Sequence, residues 1–537
     1  MPALRTMSAI RRLLAAIDAH PEQTITVRIG TQWEPRTYAD LSRDVAEAAA
    51  LLYASGIEEG HRVGILGENT YEWVVYDLAC MAAGAVSVGL LEDELIAHSI
   101  DEVADLFGLA ALAIDPRHVA EGGPAPTLGK QPASLRLLTF PDPPPDRPAT
   151  AREEPGDVFT LVFSSGTSGR VKCLRIGGAG VLAAVDRFAE DFSFGVDDCM
   201  LVGLPLSSFQ QRMMMYCAFD RGAGVVLAVP KRMFAAMAAG LPTAVVAPPQ
   251  FFHGIEQRFV AKPEAHQEEA LRQAREAALL PEGPERRAAL VSIFPDAYAA
   301  VGERTRILIT GAAPTRRSTL ELLEQMELPL FEAFSSNEAG TIAWNRPGSK
   351  RIGSVGRPVH GPDAVTTVDG IIVVRPPRPF CWGYEPGFGD TDAVFDADGS
   401  VRTGDRGRID EDGFVSIDGR ADDVLVTTGG LKLDPVAIEL EIDRVAGAGH
   451  PVLFTHQGGG TQLLMFVDAQ DRARVEDEVD AAVATLNGQL PTGARIQRVV
   501  WQDLVLTEED GFLTRNRKIN RSAVRERFVG ALGLAHR

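Results

Sequence analysis

A chain of 537 residues is longer than one hydrophobic core can organise, so two or more domains are expected. Its 45% hydrophobic and 23% charged residues describe a folded globular protein, not a disordered one. The net charge of −20 is spread along the chain, which argues against nucleic acid or an anionic membrane as main partner and leaves any phosphate ligand to local donors.

The first 20 residues read as a short amphipathic helix, because Arg5, Arg11, Arg12 and Asp18 interrupt the apolar positions where a signal peptide needs an unbroken run. No stretch of about 18 apolar residues occurs later, so no integral membrane segment is expected, and the location expected is cytoplasmic. Cys80, Cys173, Cys199, Cys217 and Cys381 are odd in number and form no CxxC pair, which points to reduced thiols rather than disulfides or zinc.

Thr37 and Asp40 have the spacing of a capping box. Leu41, Val45, Ala48, Ala49 and Leu52 would be the buried stripe of the helix it opens, and Gly56 its stop. Strands are expected at 62–66, 158–163, 225–229, 243–247, 306–310 and 371–374. Several are apolar without alternation, as in strands covered on both faces. Their alternation with helical patterns gives α/β architecture. The proline-rich, charged stretch 141–155 reads as a surface loop. Beyond Gly419-Arg420, strands at 451–455, 463–467 and 495–500 accompany a helix with Val475, Val479, Val483 and Leu486 on one face. That is a small α+β unit of about 115 residues.

The strand at 158–163 runs into Ser164, Ser165, Gly166, Thr167, Ser168, Gly169 and then Lys172. Such a run exposes backbone amides and hydroxyls that can wrap a polyphosphate, with a lysine as added point charge. A flexible surface loop has the same composition. The spacing is not that of a Walker A loop, because no Ser or Thr follows Lys172, and no GxGxxG fingerprint supports a dinucleotide.

Further motifs follow in order, and together they resemble the superfamily of acyl-CoA synthetases, adenylation domains and luciferases. The segment 164–172 is similar to its signature loop. Gly311, Ala312 and Ala313 resemble the small-residue turn beside adenine. Phe334, Ser335, Ser336, Asn337 and Glu338 resemble its aromatic-Gly-x-Thr-Glu motif, with Ser335 for glycine and Asn337 for threonine. Thr403-Gly404-Asp405 and Arg420 with Asp422 resemble the ribose aspartate and the hinge. The stretch 424–435 resembles the hairpin on the CoA or acceptor side, with Thr428, Gly429 and Gly430 at its tip. The stretch 506–521 is similar to the end of fatty acyl-CoA synthetases and places Lys518 at the adenylation lysine. The resemblance spans Thr37 to Arg521 and implies a large N-terminal multi-sheet α/β domain, residues 1–419. A small mobile α+β domain, residues 420–537, would close over it as a lid carrying Lys518.

What the resemblance implies is an AMP-forming ligase. Lys518, Glu338 and Asn337 would serve catalysis, and Glu338 would hold Mg2+. Segment 164–169, Lys172, 311–313, Phe334, Ser335, Ser336, Asp405 and Arg420 would bind ATP or AMP. ATP and Mg2+ are the expected cofactors and CoA the co-substrate, with a small-molecule acid as substrate. Other second steps would load an acyl carrier protein or activate nitrite to diazotise an aromatic amine. A non-catalytic nucleotide-binding relative is a further reading, set against the presence of Lys518, Glu338, Asp405 and Lys172. One segment departs from the pattern. Leu204 to Arg212 has the spacing of Leu-Pro-Leu-Ser-His-x-x-Glu-Arg, but Ser208 replaces the histidine and Gln211 the glutamate. Ser208, Phe209 and Arg212 are the substrate-pocket candidates, and Met213, Met214, Met215 and Tyr216 read as gap-filling core.

Overall fold

A computed structural model of the chain describes residues 3–29, 31–90, 100–114, 127–128, 131–132, 136–139, 158–165, 171–240, 242–427, 431–446, 449–455, 460–507, 510–513 and 519–532. The expected loop at 141–155 lies outside them.

Among the described residues two large sheets build the N-terminal lobe. In one, parallel strands Leu330–Ser336, Ile307–Thr310, Ala244–Ala247, Cys199–Val202, Gly224–Leu227 and Thr24–Ile29 lie side by side in that order. Antiparallel strands flank them, Gly340–Trp344 and Arg357–Pro358 at one edge and Gln32–Thr37 at the other. The second sheet runs Cys381–Tyr384, Val171–Gly177, Val158–Ser165, Val86–Leu90, Arg62–Leu66, Leu109–Ile114 and Arg136–Thr139. A four-stranded antiparallel sheet follows, from Val365–Val368 through Ile371–Val374 and Val401–Ile409 to Val415–Arg420.

The helix Tyr38–Ala54 forms as its sequence dictates. Thr37 accepts the Asp40 amide and Asp40 returns the bond to the Thr37 amide, so two otherwise orphaned donors are satisfied. Leu41, Val45, Ala48, Ala49 and Leu52 are all buried, and Gly56 at φ +81° ends the helix. The amphipathic N-terminal segment is the helix Ala3–Ala19, whose Arg12 pairs with Asp186 at 2.5 Å and Asp220 at 2.6 Å. No described helix is long and apolar enough to cross a membrane. All five cysteines are free thiols.

Core clusters divide between Val415 and Leu425. The last large-lobe member is Val415, whereas two separate clusters run from Leu425 to Val524. The strand Val415–Arg420 nevertheless continues through Gly419, held by pairing of Asp405 with Arg420. The C-terminal unit holds the sheet Gly449–Thr455, Thr461–Val467 and Ile496–Asp503, covered by helix Ala469–Gln489 through Val475, Val479 and Val483. Its helix Pro435–Ala446 supplies Asp443 to Arg316, a buried large-lobe arginine, so one ion pair bridges the lobes.

One glycine permits a close crossing in the first sheet. A Cβ on Gly356, at φ +89°, would lie 1.9 Å from the Trp344 carbonyl, whereas Gly348, at φ +72°, has nothing within 4 Å. Gly348→Ala meets only the left-handed penalty of about 1–2 kcal/mol. Gly356→Ala adds overpacking and is expected to cost about 3 kcal/mol or more, measured by urea unfolding of the two variants.

Candidate active site

The strands Val158–Ser165 and Val171–Gly177 form an antiparallel hairpin that sets Ser164 opposite Lys172 and Ser165 opposite Val171. Segment 166–170, with Gly166, Thr167, Ser168 and Gly169, lies outside the described residues between them. Lys172 leaves the hairpin toward strand Cys381–Tyr384, which pairs with Val171–Gly177 through Leu174 and Tyr384. Its Nζ donates to the Tyr384 hydroxyl at 3.3 Å and sits 5.2 Å from that ring's centroid. The hydroxyl in turn donates to Glu338 Oε1 at 2.7 Å. Burial, then the neighbouring Glu338 carboxylate, holds the phenol far above its usual pKa, so it stays neutral.

Glu338 rides a tight turn between strands Leu330–Ser336 and Gly340–Trp344. Ser336 Oγ accepts the Ala339 amide at 3.0 Å, and Gly340 turns the chain at φ +72°, pressed against the Phe380 ring. Asn337 shares that turn, and Ser335 precedes it, paired with Thr341. Phe334 is half-buried on the same strand and packs against the large core. Beside this strand runs the turn after Ile307–Thr310. A Cβ on Gly311 would stand 2.7 Å from the Ala333 carbonyl oxygen, so only glycine lets the two backbones approach so closely. Ala312 is held at φ +68°, and Ala313 follows, half-buried. Glu332, on the Phe334 strand, is pushed up to about 7 by burial, against the pull of Lys350.

A second group centres on Arg420. Thr403 Oγ1 accepts the Asp405 amide at 3.0 Å, fixing the bend that presents the carboxylate. Arg420, its register partner, reaches Asp405 Oδ1 at 3.4 Å, the Thr403 carbonyl at 3.1 Å and Asp422 Oδ1 at 3.2 Å. One guanidinium thus ties the ribose candidate to the hinge candidate. Two polar groups result: Lys172–Tyr384–Glu338, joined by hydrogen bonds, and Asp405–Arg420–Asp422, joined through the guanidinium. A carboxylate can accept ribose hydroxyls, and a lysine or an arginine can neutralise phosphate.

The description "AMP-binding enzyme" matches residues 13–369, most of the N-terminal lobe. The chain belongs to the AMP-binding enzyme family. It is accordingly an ATP-dependent, AMP-forming ligase of the adenylate-forming superfamily. The long-chain-fatty-acid–CoA ligase FadD15 of Mycobacterium bovis is 26% identical, over 98% of each chain. The ligase ACSBG2 of Xenopus laevis is 24% identical over 76% of this chain and 62% of its own. An anthranilate CoA ligase, AuaEII, solved with anthranoyl-AMP, superposes with TM-score 0.69 at 15% identity, over 98% of each chain. The amide bond synthetase McbA of Marinactinospora thermotolerans gives 0.67 at 19% identity, over 97% of this chain and 99% of that one. These likenesses carry the fold: a large N-terminal and a smaller C-terminal domain.

The remaining candidates of this AMP-forming ligase fall into two groups. Lys518 and the tip Thr428, Gly429, Gly430 lie outside the described residues, but their frames do not. Strands Leu425–Val426 and Lys432–Leu433 pair antiparallel, and the Thr427 amide donates to the Leu431 carbonyl at 3.0 Å. A bridge joins Leu513 to Ile519, and Arg521 pairs with the buried Glu439.

Ser208, Phe209 and Arg212 lie at the start of helix Phe209–Asp220, which is buried all round, its methionines included. Ser208 is half-buried at the N-cap and makes no capping bond. Phe209 packs among Phe159, Tyr216 and Phe380. Arg212 is 0% exposed and reaches Thr160 and, at 3.7 Å, Asp77, between the rings of Trp73 and Phe209. Gln211 is equally buried. Its Oε1 accepts the Gly203 amide at 3.1 Å and its Nε2 donates to the Val246 carbonyl at 3.2 Å. An ionised glutamate could accept but not donate, which gives the amide a physical reason here.

Tyr384 carries no distinctive spacing in sequence and was not among the candidates. Its signal is topological: the strand bearing it pairs with the one bearing Lys172.

Proposed function

We propose that the enzyme activates a carboxylic acid with an apolar chain and passes the acyl group to CoA. The observation that carries this reading is the hydrogen-bonded group Lys172–Tyr384–Glu338, with the Asp405–Arg420–Asp422 group and full-length likeness to a fatty-acid–CoA ligase in support. Attack of the acid's oxygen on the α-phosphorus of ATP releases pyrophosphate and leaves acyl-AMP. The CoA thiol then attacks the acyl carbon, and AMP departs.

Asp405 would take the ribose hydroxyls, and Phe334 would lie against the adenine next to the 311–313 turn. Lys172 and segment 164–169 would meet the phosphates, with Asn337 donating to an oxygen of the α-phosphate. Lys518 would bridge carboxylate and α-phosphate. Among the described residues no cluster of three or more His, Cys, Asp or Glu could cage a metal. Mg2+ commonly takes one or two carboxylates and completes its shell with substrate phosphates and water, so it needs no such cluster. Glu338 is the candidate: Tyr384 occupies Oε1 and leaves Oε2 to the cation. Bound there, Mg2+ would offset the negative charge of the phosphates.

Pyrophosphate exchange with a panel of acids, followed by addition of CoA, tests the reading. Exchange driven by aliphatic acids, with thioester appearing only when CoA is added, is the expected result. An adenylate that discharges to a carrier protein, or to an amine in the presence of nitrite, but not to CoA would overturn the second step. Asp422→Pro should spare exchange and slow thioester formation at least about tenfold, since a stiffened hinge obstructs lobe rotation rather than chemistry. Equal loss of both steps would remove Asp422 as the hinge.

A further inference from the structure

Lys172, on strand Val171–Gly177, and Glu338, in the turn after Leu330–Ser336, carry opposite charges, yet they do not pair directly. The Tyr384 hydroxyl stands between them, accepting from the ammonium at 3.3 Å and donating to the carboxylate at 2.7 Å. A phenol has one proton to give, so donation to Glu338 leaves its lone pairs for Lys172 and the polarity of the bridge is set.

The ring that holds this hydroxyl is fixed from several sides. The Tyr384 amide donates to Thr391 Oγ1 at 3.1 Å, and Phe395 meets the ring edge-on at 5.9 Å. A Cβ on Gly389 would lie 2.5 Å from the ring, so nothing larger than glycine fits there. The next residue, Glu385, is 2% exposed, donates its amide to the Cys173 carbonyl at 2.8 Å and pairs with Arg62 at 2.8 Å. The amide bond pins the end of the Tyr384 strand to the strand bearing Lys172, and the ion pair ties it to strand Arg62–Leu66.

We infer that Tyr384 is a positioning residue, a rigid neutral spacer that stops Lys172 and Glu338 from collapsing into an ion pair and keeps both available to nucleotide and divalent cation. A direct pair in a half-buried site would occupy the ammonium that phosphate needs and the carboxylate that the cation needs. With the spacer, each group is held by one hydrogen bond and retains free valence toward the ligand. This inference rests on the nucleotide site proposed above.

The test uses full-length enzyme, Mn2+ as spectroscopic probe and a non-hydrolysable ATP analogue, with bound Mn2+ read by electron paramagnetic resonance. Wild-type enzyme that shows no nucleotide-dependent Mn2+ binding would defeat the site assignment itself. Given such binding, Tyr384→Phe should weaken Mn2+ affinity about tenfold or more, the scale of a lost hydrogen bond to a charged group, with the melting midpoint nearly unchanged. With the analogue saturating for each variant, the double variant Lys172→Met, Tyr384→Phe should bind Mn2+ more tightly than Tyr384→Phe alone, because the cation that captures Glu338 is gone. Unchanged affinity in Tyr384→Phe, or no recovery in the double variant, would overturn the spacer role.

Discussion

Lys518→Ala should lower acid-dependent pyrophosphate exchange at least about 100-fold, because a positioned charge in a water-poor cleft is worth several kcal/mol to a transition state that joins two anions. The large lobe contributes Lys172 and Arg420, but the carboxylate must still approach the α-phosphate against like charge. A cation delivered by the small lobe answers that need only when the lobes close. The flanking structure suits delivery: the Leu513–Ile519 bridge closes the base of the segment, and the Asn520 amide donates to the Phe512 carbonyl at 2.8 Å. Arg521, three residues past the lysine, locks onto Glu439 of helix Pro435–Ala446, the same helix that sends Asp443 to Arg316. The lysine's anchor and the interlobe contact therefore share one rigid element. The variant should still convert added acyl-AMP to thioester, since that step, as proposed, does not call on Lys518. Near-normal exchange would strip Lys518 of its role.

The interlobe contact has a chemical counterpart in the large lobe. Arg316 donates its amide to His253 Nε2 at 3.2 Å, and burial drives the His253 pKa down to about 3. A neutral imidazole accepts there across the physiological range, so the arginine is presented to Asp443 irrespective of pH near 7. The turn that carries Arg316 begins at Gly311, against the Phe334 strand. The interlobe ion pair and the turn proposed to flank adenine are thus adjacent along the chain.

Local rules made much of this legible. The Thr37–Asp40 box, the stripe behind it and the strand entering the hydroxyl-rich run are short-range patterns, and hydrogen bonding or apolar burial makes them. Boundaries were blurrier. The strand expected at 158–163 extends to Ser165 because pairing with Val171 holds it, and the one expected at 225–229 is Gly224–Leu227 because its parallel partner ends at Val202. What sequence could not reveal is what topology brings together. Tyr384 meets Lys172 across 212 positions of chain, and nothing in Cys381 to Tyr384 alone announces it. Gln211 and Arg212 mark the opposite limit: spacing matched a family motif, but spacing does not say whether a polar side chain faces a cavity or the core.

Arg212→Met decides which of those two it is. Arg212 and Asp77 are both fully buried, and Tyr216 donates its hydroxyl to the same carboxylate. Removing the guanidinium leaves Asp77 charged in an apolar setting beside Trp73 and Phe209, a loss expected to cost about 3–5 kcal/mol. The large-lobe transition in calorimetry is the measure, because two lobes need not melt together. Replacing both members, Asp77→Leu with Arg212→Met, should recover most of that loss, since apolar side chains of similar volume need no partner. A pocket role makes the contrary forecast: KM for the acid would rise in Arg212→Met while the melting transition stayed in place. The core role also links stability to chemistry by a short path, because Arg212 bonds Thr160 and Thr160 lies on the strand that ends in Ser164 and Ser165. Loss of the pair should therefore raise KM for ATP more than KM for the acid, a split that steady-state kinetics at a temperature well below the transition would resolve.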